Sequence, residues 1–372
     1  MKGIKIMNIG KKKIFTILMA TIWCLFFNSN LNTCAVAASI TNTRTISNFL
    51  NTTSKESLAV TANNLLTNAF SSRMTNVKGC PAGLFTHAVY GHMQEKGISG
   101  ESGYKNNMYG PVLGIDNVWA FDDEEYFRLG TALGYIHGGA TPSGTGNASN
   151  DIDFNHAVYA VELFGAYEHF YDECLKTNIG VILGYNHGRN KLHMDIPPNG
   201  DTFDIKYMSS GVFLGVEFIK NLYTYDGYQF GPWFQTNYVR ISMHTGSDEE
   251  LHDYSHKLDH DLLSAVIGLN VEKETFKHAD KKLTLSLKTG WEQRIMQNSN
   301  TNFSARFSTV SSLNNTSGPI QNFSDPAEGA IVLSFKASQK LSNRWNIVGS
   351  YFARFNKDIS AHNISGGVEY AF

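Results

Sequence analysis

The 372-residue sequence is short of three things: cysteine, basic clusters and long apolar runs. Its four cysteines include Cys24 and Cys34 in the opening stretch, so only Cys80 and Cys174 remain beyond it. One pair cannot be the framework of a chain this long, which excludes a disulfide-built fold. After Lys11-Lys12-Lys13 no basic cluster recurs, and the net charge is −2. That balance gives no support for a nucleic-acid partner. Past the opening stretch no apolar run approaches the roughly 20 residues that a membrane-spanning helix needs. Motifs for chemistry are missing as well. His92, His137, His187 and His244 are scattered, and none is paired with a nucleophile or a fixed carboxylate. His252, His256 and His260 recur at every fourth position, but in a loop entering a strand that spacing only shares one strand face, and no metal site is expected. The segment GGATPSG at 138–144 precedes no helix, so it is not a phosphate cradle. No enzyme activity and no cofactor is expected.

What is present begins with an address. Lys11 to Lys13 are followed by an apolar run from Ile14 to Phe27 and then by small residues, the order of a secretory signal. Ala35-Val36-Ala37 or Val36-Ala37-Ala38 suits the peptidase, which makes residues 1–38 the signal and 39–54 a short polar linker.

Thereafter the sequence alternates. Leu283 to Trp291 reads LTLSLKTGW and Ile331 to Lys336 reads IVLSFK, each with one apolar and one small or polar face. That is the period of a strand with two different environments. Twelve such strands have cores at 84–94, 107–118, 126–137, 155–168, 174–187, 206–219, 228–242, 259–272, 282–296, 328–339, 344–356 and 362–372. Tight turns at 122–125, 171–173, 223–227, 276–281 and 341–343 alternate with longer loops at 138–153, 188–203, 243–258 and 297–327. Short turns on one rim, long loops on the other and an even strand number are the pattern of an outer-membrane barrel. Trp119, Phe121, Tyr126, Phe127, Tyr167, Phe170, Tyr171, Tyr223, Tyr225, Tyr228, Trp345 and Phe372 cluster near the turn side, as an interfacial girdle would. The expected fold is all-β: a twelve-stranded antiparallel transmembrane β-barrel over residues 80–372, closed between its first and last strands because hydrocarbon tolerates no open edge.

Ahead of the barrel, residues 55–79 read as a helix. Thr53 and Glu56 have capping-box spacing and Gly79 can supply the stop. Leu58, Ala62, Leu65, Ala69 and Phe70 share one side, continued by Met74 and Val77, while the other side is polar and uncharged. About 24 residues give about 36 Å, enough to cross a bilayer inside a wet pore. If the apolar strand faces meet lipid, the lumen receives Glu162, Glu168, Lys176, Glu217, Lys288, Glu292, Arg294, Arg354 and Glu369. A charge on the lipid face would cost up to roughly 2–4 kcal/mol at midplane. Arg73 of the helix is expected to meet one of these glutamates.

In order and spacing these pieces resemble the β-domain, or translocator, of autotransporters. The resemblance covers roughly residues 55–372. It rests on the helix ending near Arg73, Tyr109-Gly110-Pro111-Val112-Leu113-Gly114-Ile115-Asp116, Arg128 to Tyr135 and Ile179 to Tyr185, followed by Gly231-Pro232-Trp233, Trp291-Glu292 and Gly367 to Phe372. It implies a helix threaded through the barrel pore, joining the barrel to an upstream passenger exported to the cell surface. Residues 39–54 are too few for a folded passenger, so little or none is expected. Some members cut their linker at an Asn-Asn bond followed closely by Arg-Met. Here Arg73-Met74 is present, but Asn68 precedes Ala69 and the Asn63-Asn64 pair lies further upstream, so self-cleavage is not expected. The resemblance further implies outer-membrane lipid, periplasmic chaperones and the barrel-assembly machinery as partners, with Tyr370 and Phe372 as the assembly signal. Two alternative roles stand beside it: a surface barrel that binds a ligand through its long loops, and a small helix-plugged pore.

Overall fold

A computed structural model describes residues 62–78, 80, 82–96, 103–143, 152–172, 175–196, 201–245, 254–278, 281–305, 318–319 and 329–372. The expected signal and linker, Cys174, and His252 fall outside the described residues. The first described element is helix α1 (Ala62–Thr75). Strands β1 (Gly83–Glu95), β2 (Gly103–Ala120), β3 (Glu125–Ser143), β4 (Ile152–Phe170), β5 (Lys176–Ile196) and β6 (Asp201–Lys220) follow. After the short β7 (Tyr223–Tyr225) come β8 (Tyr228–Thr245), β9 (Tyr254–His278) and β10 (Lys281–Ala305). The short β11 (Gly318–Pro319) precedes β12 (Ala330–Lys340), β13 (Trp345–Phe355) and β14 (Ile359–Ala371).

Setting aside β7 and β11, twelve long strands pair antiparallel with their neighbours. The ladder closes where β1 meets β14, from Gly83 opposite Ala371 to Glu95 opposite Ile359, and where β9 joins β8 to β10. No strand edge is left open among these twelve, as hydrocarbon requires. Each expected core coincides with one long strand, because the period-2 pattern specifies which face is buried and therefore the register.

The loop side differs from expectation. Loops were expected at 138–153, 188–203, 243–258 and 297–327, yet β3 runs to Ser143, β5 to Ile196 and β10 to Ala305, while β6 starts at Asp201 and β9 at Tyr254. At 25 residues each, β9 and β10 are more than twice as long as the roughly 9–11 residues that cross a bilayer. In these extensions the sequence is largely polar, as in QNSNTNFSA at 297–305, so the apolar alternation disappears while the backbone ladder continues. Sequence patterning loses the strand there; hydrogen bonding does not.

Inside and outside alternate as the pleat dictates. Along β1, Phe85, His87, Val89 and Met93 are buried, whereas Leu84 and Tyr90 are exposed. Leu113, Leu133, Leu163, Leu183, Ile267 and Ile364 continue an apolar belt around the outer face. A belt of that extent on a water-soluble surface would be anomalous; against lipid it is the favourable face. No helix among the described residues is long and apolar enough to cross a membrane.

Helix α1 is shorter than the expected 55–79. It ends at Thr75, ahead of the expected stop at Gly79, and residues 55–61 lie outside the described residues. Its Leu65, Leu66, Ala69 and Met74 join one apolar cluster with inward-facing Val89, Met93, Met108, Ile136, Phe154 and Ile182. Two glycines make this approach possible. A Cβ at Gly134 would sit 2.4 Å from Leu66 Cδ2, and one at Gly91 would sit 2.9 Å from Leu65 Cδ1.

Candidate functional site

The last turn of α1 meets the turn-side end of β2, β3 and β14. Arg73 donates through Nη2 to Asp116 Oδ1 at 2.7 Å and through Nε to Asp116 Oδ2. Its Nη1 lies 3.2 Å from Glu369 Oε2. Arg128 donates to the same carboxylate, Nη1 to Asp116 Oδ2 at 2.7 Å, and the Gly83 amide donates to Oδ1 at 3.1 Å. The Arg73, Asp116 and Arg128 side chains are at most 1% exposed. Taking such charges out of water is costly, and only dense pairing of this kind offsets it. Two guanidinium groups and two carboxylates leave the cluster neutral. Arg128 Nη2 also donates to the Val77 carbonyl at 3.1 Å and to the Cys80 carbonyl, so β3 holds the connection from helix to first strand. The Phe85 ring lies 5.1 Å from the Arg73 guanidinium carbon.

A helix ends with carbonyls that have no partner within it. Here the barrel wall supplies them. Asn178 donates to the Met74 carbonyl at 2.7 Å, Lys176 Nζ to the Thr75 carbonyl at 3.4 Å, and Lys336 Nζ to Thr75 Oγ1 at 3.2 Å. Lysines at this position also suit the negative end of the helix dipole. Lys176 is balanced by Glu168 at 3.1 Å and Glu272 at 3.3 Å. Beyond the helix, the Lys78 amide donates to Glu168 Oε2 at 2.8 Å, and its ammonium lies over the rings of Tyr126 and Phe170, at 5.1 and 4.8 Å.

The charges expected in the lumen are all buried, and they sort into separate groups. Glu369 is brought to Arg73. Glu217 pairs with Lys288 and accepts from Trp233 Nε1 at 2.9 Å. Glu292 pairs with Arg354. Arg294 is buried as well. Glu162 is 1% exposed, and neither of its oxygens is hydrogen-bonded among the described residues. A cavity of ≈ 30 Å³ lies beside Met74, lined among others by Glu217, Trp233 and Lys288.

Arg73 lies beside Glu369, but its principal partner is Asp116, an aspartate outside the expected lumen set. Asp116, Arg128, Glu272 and Lys336 were all missed. The signal existed for the first two: with Leu113, Ile115 and Leu129 facing out, Asp116 and Arg128 must face in. Two aromatics of the expected girdle are corrected. Tyr126 and Phe170 share inward register with Arg128 and Glu168, and their rings clasp Lys78 in place of lipid. Trp119, Phe121, Tyr171, Tyr223, Tyr225, Trp345 and Phe372 are exposed on the turn side. At the seam, Tyr370 packs on Trp345 with ring centroids 4.9 Å apart, and Phe372 is 70% exposed. Among the described residues no group of histidine, cysteine and carboxylate side chains is placed to hold a metal.

The family model described as "Autotransporter beta-domain" matches residues 84–351. The fold is similar to the β-domain of the Bordetella autotransporter BrkA, at 14% identity and TM-score 0.56, over 78% of this chain and 100% of that one. It is also similar to the transport unit of AIDA-I from Escherichia coli, at 11% identity and TM-score 0.59, over 90% and 100% of the two chains. The translocator domain of NalP from Neisseria meningitidis matches at 12% identity and TM-score 0.54, over 87% and 98%. No curated protein matches the sequence.

Proposed function

Because this chain belongs to the autotransporter β-domain family, closed barrels of the bacterial outer membrane, we propose that it anchors or exports its amino-terminal segment through its own lumen. In this reading α1 is the exit of the translocated segment, left in the pore with residues 39–54 leading outward, and the barrel performs no catalysis. One observation carries it: the last helical turn is gripped by inward-facing side chains of β2, β5, β12 and β14, through Arg73, Met74 and Thr75. Leu65 sits against Gly91, eight positions up β1 from Gly83, whereas Arg73 sits beside Gly83's own partner Asp116. The helix axis then runs from the loop rim to the turn rim, the orientation that an outward-leading segment needs. An epitope tag within residues 39–54 of intact cells is expected to be lost to external protease. A tag reached only after the outer membrane is permeabilised sinks this reading.

A second reading is a pore plugged by the helix, favoured by the cavity beside Met74. Deleting residues 39–78 is expected to raise single-channel conductance in planar bilayers; unchanged conductance removes it. For assembly, Tyr370 and Phe372 at the exposed seam are the surface proposed for the barrel-assembly machinery, with periplasmic chaperones guarding the apolar belt before insertion. Deleting Phe372 is expected to impair insertion, and normal insertion would count against that role. The surface-ligand role falls on loop tips that lie largely outside the described residues.

A further inference from the structure

We propose that the turn-side rim between β12, β13 and β14 binds the phosphate of a phospholipid headgroup from the periplasmic leaflet. A cavity of ≈ 240 Å³ opens there, beside the end of α1. Its walls are rich in cations. Arg73 and Lys282 are balanced by neighbouring carboxylates, Arg73 by Asp116 and Glu369 and Lys282 by Glu274 at 2.5 Å. Lys340 and Arg344 are not: among the described residues neither side chain has a carboxylate partner, and the Arg344 guanidinium donates to the Tyr370 hydroxyl at 3.3 Å. The Lys78 ammonium, which also lines the cavity, lies over aromatic rings and donates to the Asp123 carbonyl, with no carboxylate partner among the described residues; only its backbone amide reaches Glu168. Among the described residues Glu369 is the only carboxylate in the lining, and it is already engaged by Arg73 and by Asn346 at 2.9 Å.

An anion of about phosphate size is what such a cavity lacks, and a guanidinium with a nearby ammonium is well suited to bind one. The second feature separates a lipid from a soluble phosphate. Trp345 and Tyr370, which line the same cavity, belong to the outer face of the barrel, with Ile347 and Val368 exposed next to them on the lipid side. Aromatic rings at that height mark the headgroup level, and apolar strand surface beside them would accept an acyl chain. A basic pocket at the end of a transmembrane wall, with a lipid-facing aromatic lip, is the arrangement in which anionic headgroups are held.

The test is native mass spectrometry of the full chain, refolded in detergent micelles containing phosphatidylglycerol. Retained lipid is expected on the wild type and to fall roughly tenfold or more in Lys340→Gln/Arg344→Gln, since each cation near the surface contributes comparably. Lys220→Gln, a rim cation over the Tyr171 ring and outside the cavity, is expected to retain lipid as the wild type does. Equal retention by the double variant, or equal loss in the Lys220 variant, overturns the proposal. Glycerol 3-phosphate is the second arm: failure to displace the lipid at matched concentration supports it, and displacement assigns the site to soluble phosphates and overturns it. If the double variant does not fold, as judged by heat-modifiable mobility on gels, Lys340→Gln alone carries the test, because that side chain is exposed.

Discussion

The two ends of helix α1 are held by different physics. Its last turn is fixed by charge and by directed hydrogen bonds: Arg73 to Asp116 and Glu369, and the Met74 and Thr75 carbonyls to Asn178 and Lys176. Nearer the loop side, Leu65, Leu66 and Ala69 are held by packing in an apolar cluster. Around that cluster, polar groups are buried without hydrogen bonds among the described residues, namely His87, Asn106, His156, Glu162 and Asn363. Each such group costs on the order of 1–3 kcal/mol. The turn-side end is therefore the specific one, with a single geometry, and the loop-side half is permissive. Under the export proposed above, that division suits a segment that slides through the lumen before its last turn locks.

The largest effect is expected where specificity is greatest. Asp116→Ala leaves Arg73 and Arg128 buried with no carboxylate between them, and removing one member of a buried pair costs about 3–5 kcal/mol. Urea unfolding of the refolded barrel reads this, and a loss below about 1 kcal/mol would mean that the charge cluster does not fix the helix. Leu66→Ala in the permissive half is expected to cost less, about 2–3 kcal/mol, the lower end for such truncations because the lumen can relax. Should it cost more than Asp116→Ala, the contrast between the ends is reversed. Lys78→Gln removes ammonium–ring contacts near the mouth and is expected to cost only about 0.5–1 kcal/mol by the same measurement. Cys80 offers a readout without energetic cost. It is buried and unpaired to any other cysteine among the described residues, and burial, with Glu369 nearby, pushes its thiol up to about 12. Only the thiolate reacts, so maleimide at pH 8 is expected to leave Cys80 unmodified in the folded barrel and to label it in Asp116→Ala, where the connection from helix to β1 loosens. Labelling of the intact wild type would show that this connection is open.

Strand number and inward register were legible because lipid on one side and a packed lumen on the other impose opposite preferences on alternate residues. Leu113 and Ile115 out, Asp116 in, is the same rule that put Glu162 and Glu369 inside. The extents of β5, β9 and β10 were not legible, since their loop-side ends carry polar residues without apolar alternation and the rule is silent there. Tyr126 and Phe170 were misassigned for a related reason. Near the rim an aromatic ring is equally at home among headgroups or around a lysine, and composition does not distinguish the two.

Alternation in the chain was enough to fix a twelve-stranded closed barrel and the inward side of its charges, because those depend on the local contrast between hydrocarbon and water. The pairing of those charges was decided only in three dimensions. Arg73 meets Asp116, 43 positions away, and Lys336 reaches Thr75 across 261, because closure of the ladder brings distant strands around one helix end. Which inward carboxylate faces which cation depends on register and curvature, and neither is written in the alternation that built the wall.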